Sequence, residues 1–287
     1  MKIYVIATPI GNLDDLSPRA IETLKNCDLI AAEDTRVTLK LLNHFDIHKP
    51  LTSYHKFNEL NKSKELVQQI IENNLSLALV SDCGTPCISD PGAILLNEAI
   101  QNNIEICAIP GPSAIIAGLS ASGFVLNSFT FYGFLPRKNK ELNEKLTIMK
   151  ERSEIAIAYE SPNRIKNLVC AILDVDARAE LCLCRELSKI HETYYRGTPL
   201  EVLQIFEKSS NYLKGEYCVI IKWSEKVDNS ATKSSISLES RAFDLLYQNY
   251  NKKDIIEKMV GEGYKKNAVY SALLNIENFI NNFKKSI

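Results

Sequence analysis

Apolar stretches of strand length recur through the first hundred residues: "KIYVIA" at 2–7, "DLIAAE" at 28–33, "SLALV" at 76–80 and "IEICAI" at 104–109. Between them the apolar positions move to helical spacing. "SPRAIETLKN" carries Ser17 as an N-cap with Pro18 at the first helical position, and "LNKSKELVQQIIENN" repeats apolar residues three and four apart. Strands alternating with helices predict βαβ units and a largely parallel sheet. From about residue 124 the pattern changes. "SFTFYGF", "EIAIAYE", "AELCLCREL", "ETYYRGT" and "EYCVIIKW" read as strands, with helices at "NKELNEKLTIMKE" and "SPNRIKNLVCAIL" between some of them. More strands per helix predict a second α/β domain with a mixed, partly antiparallel sheet.

The segment 224–240, "SEKVDNSATKSSISLES", is polar and has no apolar period, so it reads as a linker. Beyond it the pattern is helical to the end, with Gly261 and Gly263 marking a break. The expected organisation is an N-terminal α/β domain over 1–120, a second α/β domain over 121–224, a linker over 225–240 and a small helical unit over 241–287.

Composition narrows the function classes. With 287 residues, 45% of them hydrophobic, the chain has material for about two domain cores. A formal net charge of -1 excludes a uniformly basic nucleic-acid coat and confines any RNA contact to a local patch. The N-terminal apolar run stops at Pro9, too short for a signal peptide, and no stretch reaches the roughly 18–20 apolar residues of a membrane span, so a cytoplasmic protein is expected. Cys107, Cys170, Cys182, Cys184 and Cys218 lie in apolar runs, where a thiol behaves as a small hydrophobe. Cys83 and Cys87 find no second Cys or His pair, and the four histidines have no metal-like spacing; no metal is expected.

Four strands end in unusual loops: "TPIGN" at 8–12, "SDCGTPCISDPG" at 81–92, "PGPSA" at 110–114 and "SPNR" at 161–164. In an open α/β sheet ligands bind beyond the carboxyl ends of the strands, so these loops are expected to converge on one crevice. Glycine lets backbone approach a ligand, and proline holds a loop in one conformation. None matches GxGxxG or GxxxxGK[ST], and no lysine follows the glycines, which argues against a nucleoside triphosphate. Singly, each motif is also an ordinary turn, "PGPS" before a helix capped by Ser113 and "SDPG" as a β-turn.

Together, "TPIGNLDDLSPRAIETLKNCDLIAAEDTR", "SDCGTPCISDPG", "IPGPSAIIAGLSASG", "FYGFLPRK", "YESPNR" and "RELSKIHET" resemble the tetrapyrrole-methylase superfamily and, within it, the ribosomal RNA small subunit methyltransferase I group. The resemblance runs from residue 2 to about 222 and resumes at "GYKKNAVY". It implies two α/β domains with S-adenosylmethionine in the cleft between them, a homodimer, and methylation of a cytidine ribose 2′-oxygen in the decoding region of 16S rRNA. Carried onto matching positions, it implies cofactor contacts at Pro9, Cys83, Gly84, Thr85, Ile88, Ser113 and Ala114, with Glu160, Leu187 and Cys218 from the second domain. Cys83 stands where relatives commonly carry a small residue such as alanine.

A cationic sulfonium attached to an adenosine wants backbone donors and acceptors and an apolar wall, which suits loops without lysine. Methyl transfer is an in-line displacement, where alignment contributes roughly 7–11 kcal/mol and a positioned base about 10²- to 10⁴-fold in rate. A ribose hydroxyl must lose its proton, which makes Glu33, Asp34, Arg36, Glu160, Arg185, Glu186 and Lys189 the catalytic candidates. The same residues have structural readings: Asp34 as a helix N-cap, and Arg185 with Glu186 as an ion pair.

For RNA, the basic candidates are Arg137, Lys138, Lys252, Lys253, Lys265 and Lys266, the last two beside tyrosines. Lysines on a small helical unit also form plain solvated faces. The near-neutral charge implies few phosphate contacts and recognition of a folded ribosomal particle by shape. The competing readings are a methylase of the same fold acting on a small tetrapyrrole, such as a corrin precursor, and a non-catalytic ribosome-assembly module.

Overall fold

The computed structural model describes residues 1–208, 210–224, 238–248, 250–262 and 264–285. The chain divides into two units, Met1–Ser224 and Glu225–Ile287.

In the first unit, strands β1 (Lys2–Ile6), β2 (Leu29–Ala32), β3 (Leu51–Ser53), β4 (Ser76–Val80) and β5 (Glu105–Ile109) form an all-parallel sheet in the order β3-β2-β4-β1-β5. Helices α1 (Pro18–Asn26), α2 (Thr35–His44), α3 (Glu59–Asn73) and α4 (Ala93–Gln101) cross over between strands. Side chains alternate across each strand, so both faces need cover. Ile3, Leu77 and Leu79 pack with Leu66, Ile70 and Leu95 on one face, while Ile6, Ile30 and Val80 pack with Ala20, Leu24 and Leu42 on the other. Ser17 caps α1 as expected, its hydroxyl accepting from Ala20 N–H at 3.2 Å with Pro18 at the first position.

The second sheet contains β6 (Thr130–Phe134), β7 (Ile155–Glu160), β8 (Glu180–Arg185), β9 (Thr193–Gly197) and β10 (Tyr217–Lys222), ordered β6-β7-β10-β8-β9. Only β6 and β7 run parallel; the other neighbours are antiparallel, giving the mixed sheet expected from the sequence. Helices α6 (Asn139–Arg152), α7 (Pro162–Val175) and α8 (Pro199–Lys208) cover one face, where Ala158, Leu183 and Val219 meet Leu146, Val169 and Val202.

The opposite face is covered by α5 (Ala114–Ser122), the helix that leaves β5 of the first sheet. Its Ile115 and Leu119 pack on Ile157, Cys184, Cys218 and Ile220. Gly118 faces the sulfurs: a Cβ there would lie 3.2 Å from Cys184 Sγ and 3.4 Å from Cys218 Sγ. A helix begun in one sheet and buried on the other makes Met1–Ser224 a single compact unit, and α5 runs past the expected boundary at residue 120.

The second unit holds α9 (Leu238–Tyr247), α10 (Lys252–Gly261) and α11 (Lys266–Lys285) around Ala242, Leu245, Ile255, Met259, Val269 and Leu273. Asn251 caps α10 by accepting from Asp254 N–H at 3.0 Å, and Arg241 pairs with Glu262 at 2.7 Å. The expected linker over 225–240 falls outside the described residues up to 237, and its last three residues open α9. Gly263, expected at the helix break, also lies outside the described residues; Gly261 ends α10.

Candidate active site

The loops after β1, β4, β5 and β7 all reach one cavity of about 360 Å³, within the usual range for small-molecule sites. They are laced together before any ligand arrives. Thr8 N–H donates to Gly84 O at 2.9 Å and Gly84 N–H to Thr8 O at 3.0 Å, joining the first loop to the second. Thr8 Oγ1 donates to Ser81 O at 3.0 Å, and Thr85 Oγ1 to Pro112 O at 3.1 Å, joining the second to the third. Loops pinned in this way have little ordering entropy left to lose on binding.

The second sheet supplies the opposite wall. Cys184, Cys218, Tyr159 and Leu187 give it an apolar floor, and Glu160, Glu186, Lys189 and Glu216 give it charge. Burial pushes the Cys218 thiol up to about 12, so it stays neutral. Leu187 reaches the cavity between Glu186 and Ser188, whose φ values of 55° and 66° are left-handed conformations that non-glycine residues seldom adopt. Such strain persists only where the surroundings impose it; here Lys189 Nζ is held by Glu186 at 2.9 Å and Glu216 at 2.8 Å. Partial burial opposes ionisation of Glu186, but the Lys189 ammonium outweighs it and holds that carboxyl below the usual range. Burial likewise opposes the charge on Lys189, and the two carboxylates override it.

Glu160 is buried at the end of β7, its Oε1 accepting from Ser161 N–H at 2.7 Å. Its Oε2 faces Arg164 at 3.1 Å as an ion pair but receives no aligned hydrogen bond. Across the cavity, burial raises the Asp90 carboxyl. Around the lining stand four carboxyl groups (Asp90, Glu160, Glu186 and Glu216) and one ammonium, Lys189, with the Arg164 guanidinium paired to Glu160. A cavity so charged attracts a cation and repels a polyphosphate.

Of the residues singled out from sequence, Cys83, Gly84, Thr85, Ile88, Ser113, Ala114, Glu160, Glu186, Leu187, Lys189 and Cys218 line this cavity. Pro9 does not; its neighbour Ile10 does. Ser113 occupies the N-cap of α5 without making a side-chain cap bond. Arg185 and Glu186 do not pair with each other. Arg185 is buried and spends its guanidinium on backbone carbonyls, Nε to Lys214 O at 2.6 Å and Nη1 to His191 O at 3.4 Å. Asp34 caps α2, accepting from Arg36 N–H at 2.9 Å, and its carboxylate holds the exposed Arg36 side chain at 2.6 Å; neither lines the cavity. Glu33 stands outside as well, its carboxyl raised by burial and then by Asp90 and Asp82.

Arg137 and Lys138 are exposed in the turn between β6 and α6, where Lys138 pairs with Glu141 at 3.1 Å. Lys252, Lys253, Lys265 and Lys266 are exposed on the helical unit. Among the described residues no group of three or more His, Cys, Asp or Glu is placed to hold a metal ion, and no helix is long and apolar enough to cross a membrane.

The profile of the tetrapyrrole (corrin/porphyrin) methylases matches residues 2–202. The ribosomal RNA small subunit methyltransferase I of Halalkalibacterium halodurans is 45% identical over 227 residues, 79% of this chain and 78% of that one. Its namesake in Bacillus subtilis is 40% identical over 79% of this chain and 77% of its own length. The Thermotoga maritima protein of that name is 38% identical over 78% of this chain and 99% of its own length, which leaves it no counterpart to the remainder of this chain. Among solved structures, cobalt precorrin-4 methyltransferase superposes with a TM-score of 0.55 at 14% identity, covering 76% of this chain and 94% of that one. Uroporphyrin-III C-methyltransferase from Thermus thermophilus, complexed with S-adenosyl homocysteine, gives 0.53 at 15% identity over 77% and 97%. The structures share the fold, and the sequence matches set the lineage: this chain belongs to the tetrapyrrole (corrin/porphyrin) methylase family and, within it, to the ribosomal RNA small subunit methyltransferase I group.

Proposed function

We propose that this protein methylates the 2′-oxygen of a cytidine ribose in the decoding region of 16S rRNA, with S-adenosylmethionine as the methyl donor, acting as a cytoplasmic homodimer on the small ribosomal subunit. The observation that carries the donor in this reading is the cavity itself: loops that offer main-chain atoms on one side, an apolar floor on the other, and more carboxyl groups than cations. That donor set fits a cationic sulfonium carrying an adenosine, and it would reject a triphosphate. Gly84, Thr85, Ser113 and Ala114 would hold the donor, with Cys184, Cys218 and Leu187 packing its apolar parts. Once bound, the donor supplies an electrophilic methyl carbon.

The chain's own residues must then align the ribose and take its proton. Glu186 is a weak base, because Lys189 and Glu216 N–H, the latter at 3.0 Å, already occupy it. Asp90 is better matched: it faces the cavity, and its raised carboxyl is closer to working pH, where a general base is most effective. Lys189, fixed by two carboxylates, is placed to stabilise negative charge as it develops on the sugar oxygen. Arg137 and Lys138 would meet phosphates near the cavity, and Lys252, Lys253, Lys265 and Lys266 would do so from the helical unit.

Labelled S-adenosylmethionine, the purified protein and 30S subunits from a strain lacking the enzyme test the reading. Label mapped to a cytidine ribose is the expected result, and label on a base, or none, refutes it. A version ending at Ser224 separates the two units. If α9–α11 serve the RNA, truncation lowers transfer to subunits and leaves S-adenosylhomocysteine affinity intact; equal transfer removes the helical unit from the RNA contact, as the length of the Thermotoga maritima relative would then explain.

A further inference from the structure

An aromatic ring stands at the mouth of the cavity. Phe134 lines the cavity yet is 66% exposed, whereas Tyr159 behind it, 5.7 Å away between ring centroids, is half-buried. The backbone holds the ring in that place. The ladder between β6 and β7 slips between Phe131 and Phe134, and Gly133 sits at φ +65° with nothing near its missing Cβ. Bulges of this kind re-aim a side chain, and they gather beside active sites. Immediately after the ring, the carbonyls of Leu135 and Pro136 accept from Arg164 Nη2 at 3.1 and 2.8 Å, fixing the end of the strand. Two exposed cations follow, Arg137 and Lys138, of which Lys138 shares its ammonium with Glu141. A fixed aromatic face followed at once by cations is suited to an unstacked nucleobase and its adjoining phosphate.

Building on the reading of the protein as an RNA methyltransferase, we propose that Phe134 is the stacking platform for the acceptor nucleobase, the target nucleotide being turned out of its RNA with its phosphate toward Arg137 and its ribose toward the cavity. An enzyme that modifies one nucleotide inside a folded RNA must extract it, and stacking on a protein ring offsets the stacking that is lost. The ring lies on the rim, so it orients the nucleotide without touching the transferred methyl.

Phe134→Ala and Phe134→Trp, each checked for unchanged thermal unfolding, provide the test. Three quantities are measured: kcat/KM for 30S subunits, S-adenosylhomocysteine affinity by calorimetry, and oligomeric state by sedimentation. Phe134→Ala is expected to lower kcat/KM about 10- to 100-fold, the range of one lost base–aromatic stack, with inhibitor affinity and sedimentation unchanged, and Phe134→Trp to restore most of the rate. A matching loss of S-adenosylhomocysteine affinity would assign the ring to the donor's adenine, and altered sedimentation would assign it to a subunit interface; either overturns the proposal, as does unchanged kcat/KM. Wild-type protein that binds S-adenosylhomocysteine but transfers nothing to subunits overturns the RNA reading itself, and the stacking role with it.

Discussion

The parallel sheet and the mixed sheet face the same cavity with different materials. The parallel sheet contributes strand-tip loops rich in glycine and proline, cross-linked through Thr8, Gly84 and Thr85, so that backbone hydrogen bonding sets the shape of its wall, from which Asp90 presents a carboxyl. The mixed sheet contributes side chains: Tyr159, Glu160, Glu186, Leu187, Lys189 and Cys218. A backbone wall tolerates exchange of exposed side chains but no change of chain path, and a side-chain wall has the opposite vulnerability. Gly92, at the end of the second loop, gives the first and largest test. Its φ is +143°, and a Cβ there would lie 2.4 Å from Cys87 Sγ and 2.8 Å from Leu79 Cδ2. Backbone strain and overpacking together put the cost of Gly92→Ala at about 2–5 kcal/mol, read as a lower urea midpoint of unfolding. An unchanged midpoint would break the contrast at once.

On the other wall the expected damage is to chemistry before stability. Lys189→Met removes the one ammonium in the lining and leaves Glu186 and Glu216 facing each other. Transfer to 30S subunits should fall roughly 10²-fold, the usual effect of deleting one charge-stabilising donor. S-adenosylhomocysteine affinity should not fall with it, because the Lys189 ammonium is engaged by Glu186 and Glu216 and is assigned to the acceptor. A parallel loss of affinity and rate would mean that Lys189 holds the donor instead of serving the acceptor.

The same contrast explains what could be read from sequence. Strands β1, β4 and β5, and the loops that follow them, were visible because a buried parallel strand is a continuous apolar run and its ligand loop follows its carboxyl end. The short β3, "LTS", has too few residues to show a pattern. Glu216 was missed for a topological reason. Since β10 runs antiparallel to β7 and β8, its first residue Tyr217 pairs with Glu160 and Arg185, so the amino end of β10 arrives at the edge where the other strands finish. A rule that searches after strands does not look there. Asp90 lay within a motif already singled out, but "SDPG" also satisfies a β-turn, and only the fold shows its carboxyl facing the cavity. For Arg185, adjacency to Glu186 suggested an ion pair; β8 ends at Arg185, and the left-handed turn at Glu186 sends the two side chains to different partners.

The smallest expected effect concerns the carboxylates behind the backbone wall. Glu33 is half-buried, and its carboxyl is raised by burial first and by Asp90 and Asp82 after that. A raised carboxyl binds its proton more tightly in the folded protein than in the unfolded chain, where it titrates near pH 4.3. Stability from this group therefore falls as pH rises from there through the folded value. Glu33→Gln removes that loss, so its Tm at pH 7 should slightly exceed that of the wild type, and the gain should vanish below about pH 4. Because Glu33 stands outside the cavity, methyl transfer should survive the change. A rate loss of 10²-fold or more would instead make Glu33, and not Asp90, the proton acceptor.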